Sequence, residues 1–356
     1  MKSYAMYRLP HGREIVRITQ STGLPEELHS YSELNGRSGF VFAPFCISQS
    51  CPVLLIKPDS TETMPAPECM DTNAPCVPQH TDDTQGRNMY AADFAAFHEA
   101  LTRGEFDKLV LARSTQVEHA PSMQPEEMFM RACRLYPRMF VALVSTPQGG
   151  TWLMATPEIL LSGDAPIYST MALAGTMRLD DSQLSFDTPG HDSDTDSIVW
   201  DDKNTLEQEY VAAYMRERIA HFAYNISSKG PYTARAGRLV HLRTDFTFTL
   251  TDMHLLGDII DSLHPTPAVC GIPKDEARRF IMTHESAGRG YYSGFSGPIN
   301  PDGATRLFVS LRCMSIGERT CRLYAGGGLL RESDEQHEWE ETECKMDTMR
   351  CVINNG

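Results

Sequence analysis

The stretch "LYAGGGLLRESDEQHEWEETECKM", residues 323–346, passes from an apolar, glycine-rich run into a segment with four glutamates in the six positions 338–343. The first part has the character of a buried strand and the second of a helix. If 338–346 is helical, Glu338, Glu341 and Lys345 fall three and four residues apart and share one face, while Glu340 and Glu343 point elsewhere. Such a face is either a solvated acidic surface or a place where carboxylates hold a divalent metal and the lysine holds an anion.

Working outward, strand-like runs recur through the chain, and many lead directly into turns instead of crossover helices. Residues 1–57 contain "EIVRI", "GFVFAPF" and "CPVLLIK", rich in β-branched and aromatic residues between Gly, Pro and Ser breaks. Residues 59–88 lose this pattern in a Pro, Thr and Asp-rich segment that reads as a flexible loop between the N-terminal strands and the rest. Beyond it come a helix in "AADFAAFHEALTRG" and the strands "KLVLARSTQV", "FVALVST", "TWLMAT" and "IYSTMALAGT". A second acidic loop, "LDDSQLSFDTPGHDSDTDS", precedes a helix in "KNTLEQEYVAAYMRERIAHF", and the last third alternates helices such as "KDEARRFIMTH" with strands. The expected class is α+β, with large, mostly antiparallel sheets flanked by helices in a single domain over residues 1–356.

Composition narrows the function. A chain of 356 residues with 41% hydrophobic content can build a substantial core. No run approaches the roughly eighteen apolar residues of a membrane span, and the N-terminus lacks an apolar signal region, so the expected location is the cytoplasm. A net charge of −15 argues against nucleic acid or an anionic membrane as partner. It also requires any anionic ligand to be met by a local cation or metal. The ten cysteines show no C-x-x-C pair and read as reduced core residues.

Three further residues have the surroundings that chemistry needs. In "FDKLVLARSTQV", Lys108 shares a strand face with Phe106, Val110 and Ala112; desolvation there disfavours the charged amine and makes it a candidate base. It could equally be a lysine that snorkels from a strand end. Glu158, in "MATPEILLS", is a carboxyl among apolar neighbours, so either a general acid with a raised pKa or a structural group bonded to backbone amides. Glu207, on the helix after Lys203 and Asn204, could join the acidic C-terminal helix around a hard cation such as Mg²⁺. The glycines of "LAGT" and "AGGGLL" offer backbone N–H groups suited to an anion, or simply tight turns.

Taken in order, "DKLVLARS", "MATPEILLS", "ALAGTMR", "KNTLEQ", "HLRT", "LHPTPAVCG", "ESAGRGYYSGFSG", "LFVSLRC", "YAGGGLL" and "EWEETECKM" resemble the chorismate-utilising enzymes, which include isochorismate, salicylate, anthranilate and aminodeoxychorismate synthases. The resemblance covers about residues 89–356. It implies that fold, chorismate as substrate and Mg²⁺ as cofactor. It makes Lys108 the base that activates water and Glu158 the general acid. Glu207 and Glu341 become the metal ligands, with Glu338 reaching the metal directly or through water. Arg312, Lys345 and the Gly175 and Thr176 amides become anchors for substrate carboxylates, and Tyr292 lines the same pocket. Gln208 and Asn204 depart from the family pattern, where many relatives carry histidine and some a second carboxylate. Lys108 together with Ala174 disfavours the two amination branches, and "LHPTPAVCG" is similar to the isochorismate synthase version of its segment. The implied activity is therefore isomerisation of chorismate to isochorismate by a monomer, with salicylate synthase or a non-catalytic acidic binding protein as the alternatives.

Overall fold

The computed structural model describes residues 2–68, 83–178, 198–236 and 239–353. Among these residues the β-branched and aromatic runs pair into two sheets of nine strands each, and every strand pair described is antiparallel. Across the first sheet the order is Gly271–Ile272, Lys108–Glu118, Thr320–Leu329, Cys313–Ile316, Gly150–Thr156, Phe140–Thr146, Ser3–Arg8, Glu14–Gln20 and Ser60–Pro65. Across the second it is Ala223–Ala236, Leu239–Leu250, Ile167–Arg178, Ile159–Asp164, Ala304–Val309, Phe295–Ile299, Gly39–Ala43, Val53–Ile56 and Glu26–Leu28.

The sheets pack face to face because period-2 alternation gives each an apolar inner surface. Phe40, Phe42 and Phe308 from one meet Phe140, Val144 and Trp152 from the other, with Phe140 and Phe308 stacked at 4.2 Å. Among the described residues six α-helices cover the outside: α1 (Thr84–Thr102), α2 (Pro125–Leu135), α3 (Asp202–Ala220), α4 (Leu256–Leu263), α5 (Lys274–His284) and α6 (Glu335–Ile353). Met346, Met349 and Val352 of α6 pack with Phe129 and Ala132 of α2 against the first sheet, while Val211 and Met215 of α3 close the outer face of the second. The α+β expectation holds. No helix among the described residues is long and apolar enough to cross a membrane.

Part of the segment expected as a loop is regular. Ser60–Pro65 is an edge strand in register with Glu14–Gln20, and α1 begins at Thr84, where the Asp83 carboxylate accepts from the Gly86 amide at 2.8 Å. The edge strand is almost wholly exposed, so it carries no apolar alternation for a sequence reading to detect. Residues 69–82, and the acidic segment 179–197, lie outside the described residues. Cys351 is disulfide-bonded, which corrects the reading of all cysteines as reduced; Cys46, Cys51, Cys133, Cys270, Cys313, Cys321 and Cys344 are free.

Candidate active site

Lys108 opens the strand Lys108–Glu118, and the strand's alternation turns its side chain inward, where it is fully buried. The neighbouring strand runs Gly326–Leu329 beside Ala112–Leu109, and its glycines form the floor of the site. A Cβ on Gly328 would lie 2.2 Å from Glu207 Oε1 and 3.0 Å from Lys108 Cε. One on Gly327 would lie 3.0 Å from Glu338 Oε2 and 3.6 Å from Glu341 Oε1. Glycine is needed here for close approach, so that carboxylates from α3 and α6 can settle on the strand's backbone.

Each carboxylate meets a lysine. Lys108 Nζ lies 2.8 Å from Glu207 Oε1, Lys345 Nζ lies 2.6 Å from Glu341 Oε1, and Lys203 pairs with Glu338 Oε1, which also accepts from Ser333 Oγ at 2.8 Å. The face of α6 that carries Glu338, Glu341 and Lys345 is thus turned inward, not solvated. Among the described residues no group of three His, Cys, Asp or Glu side chains forms a ready metal cage; the expected ligands are held as ion pairs. Glu338 Oε2 is buried without a hydrogen-bond partner. Burial, and then the charge of Glu341, push the Glu338 carboxyl upward, with Lys203 opposing them. Burial also pushes Glu207 up, but Lys108 first, then Lys203 and Lys345, hold it below the usual carboxylate range.

These groups border one partly open cleft. Glu158, Gly175, Thr176, Glu207, Tyr292, Arg312 and Lys345 line it; Lys108 and Glu341 stand behind that lining, paired with its Glu207 and Lys345, while Glu338 and its partner Lys203 are not part of it. Glu158 is buried, and burial raises its pKa to about 7 against the pull of Lys108, the Thr266 hydroxyl, Arg312 and Lys345. Thr266 Oγ1 donates to Glu158 Oε1 at 3.4 Å. Burial lowers Arg312 to about 10, still well charged at neutral pH.

Two expectations change. The Thr176 amide donates to Asn204 Oδ1 at 2.9 Å and the Gly175 amide to Glu207 Oε2 at 3.3 Å, so both backbone donors are already engaged by α3. Asn204 and Gln208 have structural work: Gln208 accepts from the Ala174 amide and donates to Ala172 O and Thr244 Oγ1, pinning α3 to the strand Ile167–Arg178.

Other residues emerge only in three dimensions. His241 Nε2 accepts from Arg312 Nη2 at 2.5 Å, which places the imidazole proton on Nδ1, facing Gly175 O at 3.0 Å. Burial first, then Arg312 and Lys345, hold His241 neutral. It therefore aims Arg312, whose backbone sits at φ 44°, without competing for an anion. On the other side the buried pair Glu285 and Arg289 fastens the Lys108 strand. Glu285 Oε2 accepts from the Ala112 amide, and Arg289 donates to Val110 O and to Val269 O. The i,i+4 spacing of Glu285 and Arg289 in "ESAGRGYY" was the available signal; for His241 and Lys203 no periodicity marks the role.

A family model described as chorismate binding enzyme matches residues 57–354. The isochorismate synthase MenF of Escherichia coli (strain K12) is 30% identical over 257 residues, 72% of this chain and 58% of that protein. The chain thus spans less than two thirds of that relative's length by sequence. In three dimensions the solved structure of MenF, the menaquinone-specific isochorismate synthase from Escherichia coli, superimposes with a TM-score of 0.77 at 24% identity, covering 99% of this chain and 89% of that one. Anthranilate synthase component I from Streptococcus pneumoniae follows with a TM-score of 0.70 at 17% identity, covering 98% and 90%. Those likenesses give the fold, which hosts more than one activity. With the family model matched over most of its length, the chain belongs to the chorismate binding enzyme family.

Proposed function

We propose that this protein is an isochorismate synthase, a Mg²⁺-dependent isomerase acting in the cytoplasm as a monomer, with the chain working as one chorismate-binding catalytic domain. The observation that carries this reading is Glu158, a buried carboxyl held near 7 in a cleft that also presents the Arg312 and Lys345 cations. A carboxyl protonated about half the time at neutral pH is suited to proton donation. Two cations in the same walls suit a substrate with two carboxylates.

In the proposed reaction the oxygen of water bonds to C2 of chorismate and its proton passes to Lys108. The ring double bonds shift, the C4–O bond breaks, and the departing hydroxyl takes the Glu158 proton. Water is consumed and released, so the net change is an isomerisation. In the structure Lys108 is paired with Glu207, and this contact must open for Lys108 to face the attacking water. His241 and Tyr292 support the pose, the first by aiming Arg312, the second by closing the wall beside Gly326.

Glu207, Glu338 and Glu341 offer oxygen donors only, Glu338 Oε2 lacks a partner, and Gly327 leaves room between Glu338 and Glu341. This donor set fits a hard divalent cation. When bound there, Mg²⁺ would supply positive charge for a substrate carboxylate. Ala268 and Val269 give the cleft a small apolar wall, which favours release of isochorismate over elimination of pyruvate from it.

The test is chromatography of products formed from chorismate with and without Mg²⁺ at neutral pH, with lactate dehydrogenase coupling to detect pyruvate. Mg²⁺-dependent isochorismate is the expected result. Stoichiometric pyruvate with salicylate would make the protein a salicylate synthase, and no turnover would leave a binding protein.

A further inference from the structure

Three lysines pair one to one with the three carboxylates, and the proposed reaction uses only two of them: Lys108 as base and Lys345 as anchor. Lys203 has no part in it. Yet Lys203 reaches from the first turn of α3 to Glu338 on α6, and it forms this pair in a particular way. The Glu338 side chain is fully buried, whereas 23% of the Lys203 side chain is exposed, so the ammonium lies on the water side of the pair. Its flexible stem can carry it out into solvent, while Glu338 cannot follow. What Lys203 leaves behind is an incomplete polar site: Glu338 Oε2 is buried without a partner and converges with Glu341 Oε1 on the space above Gly327.

We propose that Lys203 is an internal cation that occupies the Glu338 carboxylate until a divalent cation displaces it, and so weakens metal binding to the substrate-free protein. This rests on the metal reading given above and adds a competitor to it. With Lys108, Lys203 and Lys345 facing Glu207, Glu338 and Glu341, the cluster is formally neutral before metal or substrate arrives. A divalent cation entering a neutral cluster must drive out an ammonium to reach Glu338 Oε1. The dication then leaves the cluster positive overall, which a dianionic substrate offsets. Lys203 thereby discourages metal from binding alone and favours metal and dianion binding together. A merely structural Lys203 would stabilise the fold and leave metal affinity untouched.

The experiment is calorimetric titration of the metal-free full chain with MgCl₂ in the absence of chorismate, alongside thermal unfolding with and without MgCl₂. Wild type, Lys203→Gln and Glu341→Gln are compared. Lys203→Gln is expected to bind Mg²⁺ on the order of tenfold more tightly, about 1.4 kcal/mol, and to show a larger Mg²⁺-induced rise in Tm than wild type. If Lys203→Gln is unfolded without metal, refolding at Mg²⁺ concentrations that leave the wild-type Tm unchanged is the same result. Equal or weaker affinity in Lys203→Gln, with Glu341→Gln clearly weakened, overturns the role of Lys203 and leaves the metal site standing. Mg²⁺ binding to none of the three, or equally to wild type and Glu341→Gln, overturns the metal reading itself.

Discussion

Replacing Glu158 with glutamine should abolish turnover and, at alkaline pH, stabilise the protein. The ordinary value for this carboxyl is 4.5 and burial raises it to about 7. At neutral pH that increases the protonated fraction from roughly one in three hundred to about one half. The same displacement has a cost. The unfolded chain gives up this proton at lower pH than the folded one, so stability falls as pH rises from about 4.5 to about 7 and stays reduced above that. The cost is about 3 kcal/mol at most, since each unit is about 1.4 kcal/mol. Glutamine keeps the shape and carries no charge, so Glu158→Gln should lose a factor of 10²–10⁴ in kcat while unfolding later than wild type at pH 8. At pH 4, below both values, the stability advantage should vanish. In the wild type, kcat should fall about tenfold per unit above the pKa of the substrate complex. The assays are chorismate consumption from pH 6 to 9 and denaturant unfolding of both proteins at pH 4 and pH 8. A variant that retains near-normal turnover, or that is less stable than wild type at pH 8, would refute the assignment of a buried neutral acid.

Lys108→Ala should lose at least about 10²-fold in kcat while calorimetry still detects chorismate binding; because it strands the buried Glu207, it should also cost about 3–5 kcal/mol in denaturant unfolding. Glu341→Gln should weaken Mg²⁺ affinity, with activity partly restored by excess metal in a titration of rate against MgCl₂. Gly328→Ala places a methyl 2.2 Å from Glu207 Oε1, so it should displace Glu207 and Lys108 and cut kcat at least tenfold, with a stability loss of about 1–3 kcal/mol; unchanged kinetics would mean that the strand yields instead.

The parts of this molecule that were legible in its sequence share a local cause. Glu338, Glu341 and Lys345 sit at helical spacing after a glycine run, and Lys108 and Glu158 sit in apolar strands, so a few neighbouring residues reveal their surroundings. What stayed hidden depends on pairing between distant segments. The partner of Lys108 is 99 residues away on α3, and Lys203 meets a carboxylate 135 residues on. The Gly175 and Thr176 amides look available as sequence, but α3 fills them with Glu207 and Asn204. Similarly, α2 shows only once Met128, Phe129 and Ala132 have a sheet to cover, and the edge strand Ser60–Pro65 draws its order from backbone pairing with Glu14–Gln20.

The wide spacing of the ion pairs also bears on how the protein is made. Lys108 leaves the ribosome 99 residues before Glu207, roughly 5–20 s at ordinary rates of synthesis. Throughout that interval the strand Lys108–Glu118 carries a cation on a surface destined for full burial, without its counter-ion. Closing that surface early would strand the charge, at several kcal/mol. The nascent strand must therefore stay hydrated until α3 emerges, and the neighbouring strand Thr320–Leu329 comes later still. Lys108 thus doubles as a brake on premature collapse of the growing chain.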